Sequence, residues 1–175
     1  MNGRVSLVED QLIAFLPRLR RFAISLCKSG DVADDLVQAA CERALASADR
    51  FEPGTRFDAW MFRILRNLWI DQVRKQLTRG PEQDVDALPD IAGAMGEREV
   101  EARLMVKSVA EAIDLLPEEQ REVLLLVCVE ELSYREASDV LAIPIGTVMS
   151  RLARARKTLA EATGISDGSA RSGRS

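Results

Sequence analysis

Hydrophobic residues recur at every third or fourth position along most of the chain, which is the spacing of amphipathic α-helices. A first helix is predicted from Ser6, which forms an S-x-x-E capping pair with Glu9, to the segment Lys28–Gly30. Asp31 is predicted to cap a second helix, and a third is predicted from about Phe57 to Leu77.

The periodicity stops between residues 80 and 96, where two prolines and three glycines interrupt any regular element. We interpret this segment as a flexible linker. Helices are predicted to resume at residues 97–115, then from Pro117, from Ser133 to Leu141 and at residues 145–162. The pattern predicts an all-α chain with two small helical domains, residues 1–79 and 97–163, joined by the flexible linker 80–96 and followed by a disordered tail, residues 164–175.

The net charge of −4 conceals an uneven distribution along the 175 residues. Residues 1–83 carry 13 basic and 11 acidic side chains, residues 84–139 carry 5 and 15, and residues 140–175 carry 6 and 2. Positive helices therefore flank an acidic middle, and the overall acidity does not argue against binding to nucleic acid.

The chain has no histidine, which removes the commonest general base and the commonest metal ligand. Cys27, Cys41 and Cys128 lie far apart, so we expect small core residues rather than a zinc site. No signal peptide and no apolar run of roughly 18 residues is found, which favours a cytoplasmic protein without membrane insertion. Without a phosphate-binding glycine loop or convergent carboxylates, we expect no cofactor and no enzymatic activity.

The segment Leu132–Leu159 has the layout of a helix–turn–helix, with a short capped helix, a turn at Ala142–Pro144 and a longer basic helix. Such a helix fits the DNA major groove, where arginine binds guanine in a bidentate way, whereas hydroxyl groups near its start suit phosphates. The side chains predicted to face outward are Thr147, Ser150, Arg151, Arg154 and Lys157.

The third predicted helix combines arginines with two tryptophans, Trp60 and Trp69. Aromatic rings that alternate with cations suit unpaired bases, because the rings stack on bases and the cations hold phosphates. A simple core position is the alternative for both tryptophans, and it is the favoured one for Trp69.

Four motifs occur in one order: DDLVQAACERALAS, FEPGTRFDAWMFRILRNLWIDQVRK, LPEEQREVLLL and the helix–turn–helix. In this order and spacing the chain resembles the extracytoplasmic-function sigma factors over roughly residues 8–162, and within them the alphaproteobacterial stress-response type. The resemblance implies a transcription-initiation factor whose partners are core RNA polymerase (the β′ coiled coil and the β flap), promoter DNA and an anti-sigma factor. Residues 1–79 would then be sigma domain 2, and residues 97–163 sigma domain 4.

The resemblance also implies residue roles. Polymerase docking falls to Asp35, Gln38 and Arg43. Recognition of the promoter −10 element falls to Pro53, Gly54, Thr55, Arg56, Phe57, Trp60, Arg63, Asn67, Arg74 and Lys75. Recognition of the −35 element falls to the outward residues of the last helix, Thr147, Ser150, Arg151, Arg154 and Lys157.

Three positions depart from the family pattern: Ala142 replaces the usual turn glycine, Met149 a usual cation and Ala39 a common acid. We expect a turn at Ala142 that avoids the left-handed backbone. Two other functions are considered, a helix–turn–helix regulator and a sigma-like mimic that titrates an anti-sigma factor. A regulator would need a sensing or dimerisation domain, and a mimic need not keep DNA-contacting residues such as Asn67 and Arg154.

Overall fold

The computed structural model describes residues 2–79 and 97–164, and every regular element within them is helical. The prediction of an all-α fold is confirmed. The predicted linker, residues 80–96, and the predicted tail beyond Gly164 lie outside the described residues. The helices are α1 (Asn2–Cys27), α2 (Gly30–Ala46), α3 (Phe57–Arg79), α4 (Glu97–Asp114), α5 (Glu118–Leu124), α6 (Tyr134–Leu141) and α7 (Ile145–Thr163), with a 3₁₀ turn at Ala48–Arg50 and a π turn at Leu125–Val129.

The described helices divide into two compact units, one of α1, α2, α3 and α6 and the other of α4, α5 and α7. The first unit has an aromatic core in which the rings of Phe15 and Phe22 contact that of Phe62 edge-on, at 5.1 and 4.9 Å between centroids. Leu19 and Leu65 are fully buried beside them. This core fixes α3 against α1, because edge-to-face ring pairs add a geometric preference to the burial of apolar surface.

The second unit has an aliphatic core that includes Val123, Leu126, Val148 and Leu152. Arg121 is buried beside it and donates to the carbonyl oxygens of Asp114 and Leu116, at 3.3 and 3.1 Å. A cation at the last carbonyls of a helix satisfies acceptors that have no partner within the helix. Arg121 therefore stabilises the turn from α4 to α5.

Three predicted helix starts differ from the structure. α1 begins at Asn2, four residues before the predicted capping residue Ser6, and the other two starts are wrong by one or two residues. Ser29 caps α2 by accepting from the amide of Val32, and Asp31 lies in the first turn, where its charge favours the helix dipole. Pro117 is the residue before α5 rather than its first residue.

The expectation for Ala142 is also wrong, because this residue adopts a left-handed backbone with φ +53°. The left-handed conformation costs an L-residue roughly 1–2 kcal/mol. The turn holds it there by local hydrogen bonds: Ile143 N donates to Ser138 O at 3.2 Å, and the Ser138 hydroxyl donates back to Ile143 O. The geometry of a glycine turn is thus kept without the glycine.

Candidate nucleic-acid interface

The loop before α3 has an exposed tip that its own hydrogen bonds hold in shape. Thr55 donates to Glu52 O through both its amide and its hydroxyl, at 3.1 and 2.7 Å. Gly54 has φ +93°, a region that glycine enters without a steric cost. The predicted residues Pro53 to Arg56 are all exposed. The loop is therefore a preformed turn that faces solvent.

Three aromatic rings lie directly behind this turn. The ring of Phe51 is 5.1 Å from that of Trp60 and 5.6 Å from that of Phe57, and the latter two rings are 5.9 Å apart. Phe51 is buried, whereas Phe57 and Trp60 are half-buried, so part of the indole surface remains open to a ligand. Trp60 thus lies beside the loop, and Phe51 is a third ring that was not predicted among the site residues.

Asp58 connects the loop before α3 to α1 through Arg18. Its carboxylate accepts from Arg56 Nε at 3.0 Å and from the amide of Ala59 at 2.8 Å, and lies 3.5 Å from the Arg18 guanidinium. Burial alone would raise the pKa of the Asp58 carboxyl, but these hydrogen bonds and the two cations outweigh it and lower the pKa. Asp58 thus stays ionised and orients Arg56, a role the sequence did not indicate.

A cavity of about 550 Å³ opens beside the loop in the first unit. Its walls include Trp60 and the charged side chains of Arg50, Arg56, Arg63, Glu136 and Asp139. Aromatic and cationic walls together can hold a planar base next to a phosphate.

Beyond the cavity, the predicted polar residues continue along α3 and all are exposed: Arg63, Asn67, Arg74 and Lys75. At about 100° per residue, the first three lie within about 40° of one another around the helix, whereas Lys75 lies about 120° from Arg63. One narrow stripe on α3 therefore carries three of the four, and Lys75 lies on its flank.

The predicted docking residues Asp35, Gln38 and Arg43 are exposed on α2. Gln38 Nε2 donates to Glu42 Oε1 at 3.1 Å, so Glu42 shares the face of Asp35 and Gln38, whereas Arg43 lies to the side. Glu42 is missing from the sequence prediction, although its position four residues after Gln38 could have indicated it.

The predicted residues on α7 are not equivalent in the structure. Ser150, Arg154 and Lys157 are exposed and Thr147 is half-buried. Arg151, predicted to face outward, is only 19 % exposed and pairs with Glu119 at 3.0 Å. Arg151 therefore reaches a ligand only if this ion pair opens, and its Glu119 side is exposed to solvent. Lys157 lies 3.9 Å from Glu161.

Two further residues that depart from the family pattern, Met149 and Ala39, lie at different depths in the structure. Met149 is 52 % exposed, and Ala39 is half-buried on α2.

The cysteines differ in their exposure. Burial raises the pKa of the Cys27 and Cys41 thiols. Cys128 is exposed on the π turn, so the expectation of a core position is wrong for this residue. In residues 2–79 and 97–164 no cluster of metal-ligating side chains occurs, and no helix there is long and apolar enough to cross a bilayer.

Residues 12–78 match the family Sigma-70 region 2, and residues 107–159 match Sigma-70, region 4. Over 152 residues the chain is 40 % identical to the ECF RNA polymerase sigma factor EcfG of Rhodopseudomonas palustris (strain TIE-1), covering 87 % of this chain and 82 % of that protein. The chain belongs to the ECF RNA polymerase sigma factors.

Solved sigma factor structures show the same fold. The chain matches the sigma factor RpoE in complex with the anti-sigma factor NepR from Bartonella quintana, with TM-score 0.73 and 33 % identity over 90 % of this chain and 97 % of that one. It also matches CnrH in complex with the cytosolic domain of CnrY, with TM-score 0.60 and 27 % identity over 88 % and 85 %. The resemblance stated from the motifs is confirmed, and so is the function of a sigma factor in transcription initiation.

Proposed function

We propose that this sigma factor recognises the promoter −10 element with the loop Pro53–Phe57, Trp60 and the α3 stripe. The observation that carries the proposal is the half-open Trp60 ring behind a preformed loop, with cations on the adjoining walls. A base extruded from the duplex stacks on such a ring, and the strand on either side meets Arg56 and Arg63. Asn67, Arg74 and Lys75 then contact the strand further along α3.

The −35 element is proposed to bind along α7. Arg154 and Ser150 are exposed on one side of this helix, and Lys157 lies at the edge of the same surface. Arg154 suits a base edge in the major groove, because a guanidinium binds the two acceptors of guanine together. Lys157 suits a phosphate, because an ammonium group acts as a point charge without base preference. Thr147 completes this surface, and Arg151 joins it when its ion pair with Glu119 opens.

Docking to core polymerase is proposed to use the α2 face with Asp35 and Gln38, extended by Glu42 and flanked by Arg43. The exposed polar pair Gln38–Glu42 supports this role, since it is preorganised without being needed in a core. We assign docking and the −10 element to residues 1–79 and the −35 element to residues 97–163, with residues 80–96 as their linker. The chain would act in the cytoplasm, where it meets polymerase.

Control by an anti-sigma factor is part of the proposal. It is supported by the similarity to a sigma factor whose structure holds the anti-sigma factor NepR. An inhibitor of this class would cover docking or DNA-contacting surfaces, and complementary charge would speed its association.

Run-off transcription tests the proposed function. Core polymerase is mixed with the chain and with templates in which two hexamers at −35 and −10 spacing are randomised, and the transcripts are sequenced. We expect both hexamers to be enriched for defined bases. Enrichment at only one element, or transcription without the chain, would contradict the proposal.

A further inference from the structure

α6 belongs to the first unit, where two arginines contact its ends: Arg56 of the −10 surface, which comprises the loop Pro53–Phe57, Trp60 and the α3 stripe, and Arg66 of α3. In its first turn Glu136 Oε2 accepts from Arg56 Nη1 at 3.3 Å. At its last residue Leu141 O accepts from Arg66 Nη1 at 3.2 Å. An acid at the start of a helix and a cation at its end both match the helix dipole.

The same helix forms one wall of the cavity beside Trp60. Val140 and the carboxylates of Glu136 and Asp139 contribute to this wall. Val140 is buried, and the Glu136 side chain is only 27 % exposed. The open side of the indole therefore faces a space that α6 partly closes.

The charged residues that line the cavity show how α6 changes its net charge. Three cations line the cavity from the 3₁₀ turn, the loop and α3, namely Arg50, Arg56 and Arg63, and the only carboxylate that these segments add to the lining is Glu52. Glu136 and Asp139 of α6 bring the carboxylates to the same number as the cations. Without α6 the walls carry a positive excess, which attracts the phosphates of a nucleic acid strand.

We propose that the −10 surface binds either α6 or the promoter strand, and that the two occupants exclude each other. This inference rests on the proposed −10 function of Trp60 and the loop. Arg56 donates to the carboxylates of Asp58 and Glu136, so a phosphate that approaches this guanidinium comes next to the Glu136 carboxylate, and the two negative charges repel each other. α6 is thus an internal acidic competitor of DNA, built into the helix that precedes the recognition helix in sequence.

A charge-neutral variant of the full-length chain tests this competition. Glu136→Gln removes the ion pair with Arg56 and keeps the size of the side chain, and Glu9→Gln on α1 is the matched control. The probe is a fluorescent single-stranded oligonucleotide that carries the −10 sequence enriched in the run-off library. We expect Glu136→Gln to bind it about 2- to 5-fold more tightly, the range of a partly exposed ion pair. Equal or weaker binding than in the Glu9→Gln control would overturn the proposal.

Hydrogen exchange of the unmodified chain is a second test of the competition, and it requires no substitution. A saturating amount of the −10 strand should speed amide exchange in Tyr134–Leu141, because the strand displaces α6, and should leave α1 unchanged. Unchanged or slower exchange in α6 would overturn the proposal.

Failure of the underlying function has a separate signature. If Trp60→Ala leaves promoter-specific run-off by the holoenzyme unchanged, the −10 assignment itself is wrong. If run-off depends on Trp60 but α6 exchange does not respond to the strand, the −10 assignment stands and the competition by α6 is wrong.

Discussion

The surface around Trp60 and the surface of α7 are built in opposite ways. Around Trp60, rings packed on Phe51 and a carboxylate at Asp58 hold the ligand-facing groups in place. On α7, long exposed side chains such as Arg154 project from one helix, and the ion pair with Glu119 leaves Arg151 only 19 % exposed. A flexible unpaired base needs a rigid platform, whereas a duplex is itself rigid and can be read by adaptable side chains.

The largest effect is expected at the rigid platform. Trp60→Ala removes the stacking surface, which is worth about 1–3 kcal/mol per base, so run-off should fall roughly 5- to 150-fold. Trp60→Phe should retain most of the activity because it keeps a ring. If both variants lose run-off activity equally, the indole acts by packing alone. Both variants should then also show a lower free energy of unfolding.

The adaptable surface should give a base-specific effect. Arg154→Ala should cost about 1–3 kcal/mol at one position of the −35 element and relax the preference there. Lys157→Ala should weaken all templates alike and reduce the dependence of binding on salt. Competition assays with single-base template variants measure both, and uniform loss for both variants would refute this division of roles.

The contribution of Asp58 to the rigidity of the surface around Trp60 can be tested through its dependence on pH. The folded-state pKa of its carboxyl is lowered, so its contribution is present above the unfolded value of about 3.9 and is lost as pH falls through the folded value. Asp58→Asn should therefore lower the free energy of unfolding at pH 7 by about 1–2 kcal/mol, and the difference should shrink as pH falls below the unfolded value and through the lowered folded value. Urea titrations measure this. Asp71→Asn, on the exposed side of α3, serves as the control, and an equal loss there would contradict the role of Asp58.

A glycine substitution should stabilise the protein at Ala142 and destabilise it within α7, the helix that follows this turn. Ala142→Gly relieves a left-handed alanine and should raise the free energy of unfolding by about 0.5–1 kcal/mol, net of the greater flexibility of the unfolded glycine chain. Ala153→Gly, in the middle of α7, should lower it by about 1 kcal/mol. If both substitutions destabilise the protein, φ at Ala142 is not strained in solution.

The smallest effect concerns Glu119, which is 69 % exposed. Glu119→Gln releases Arg151 and removes a carboxylate from the DNA-facing side, so we expect duplex affinity to rise about 2-fold, within the range of exposed ion pairs. Glu111→Gln on α4 is the control. Weaker duplex binding would mean that Glu119 positions Arg151 for DNA rather than withholding it.

Local features were predictable from the sequence, and contacts between distant residues were not. The loop before α3 could be predicted because Pro53 and Gly54 dictate a turn, and the extent of α7 follows from its apolar spacing. Glu119 and Arg151 are 32 positions apart, and nothing local indicates that they meet. The same applies to Arg56 and Glu136, whose pairing depends on tertiary packing.

Two local expectations failed for physical reasons. Cys128 lies on a π turn, where an extra residue per turn rotates side chains away from the face that regular helical spacing assigns to them. Ala142 is left-handed because the hydrogen bonds between Ser138 and Ile143 outweigh the cost for an alanine. In both cases tertiary or hydrogen-bonding context overrides the preference of the residue type.

Site-specific photo-crosslinking in the polymerase holoenzyme tests the two-surface account most directly. A photoreactive aromatic residue replaces Trp60 in one preparation and Arg154 in another, and each is assembled on the same promoter. We expect position 60 to crosslink to the unpaired strand of the −10 element and position 154 to the −35 duplex. Crosslinks from both positions to one element, or from position 60 only to paired DNA, would contradict the account.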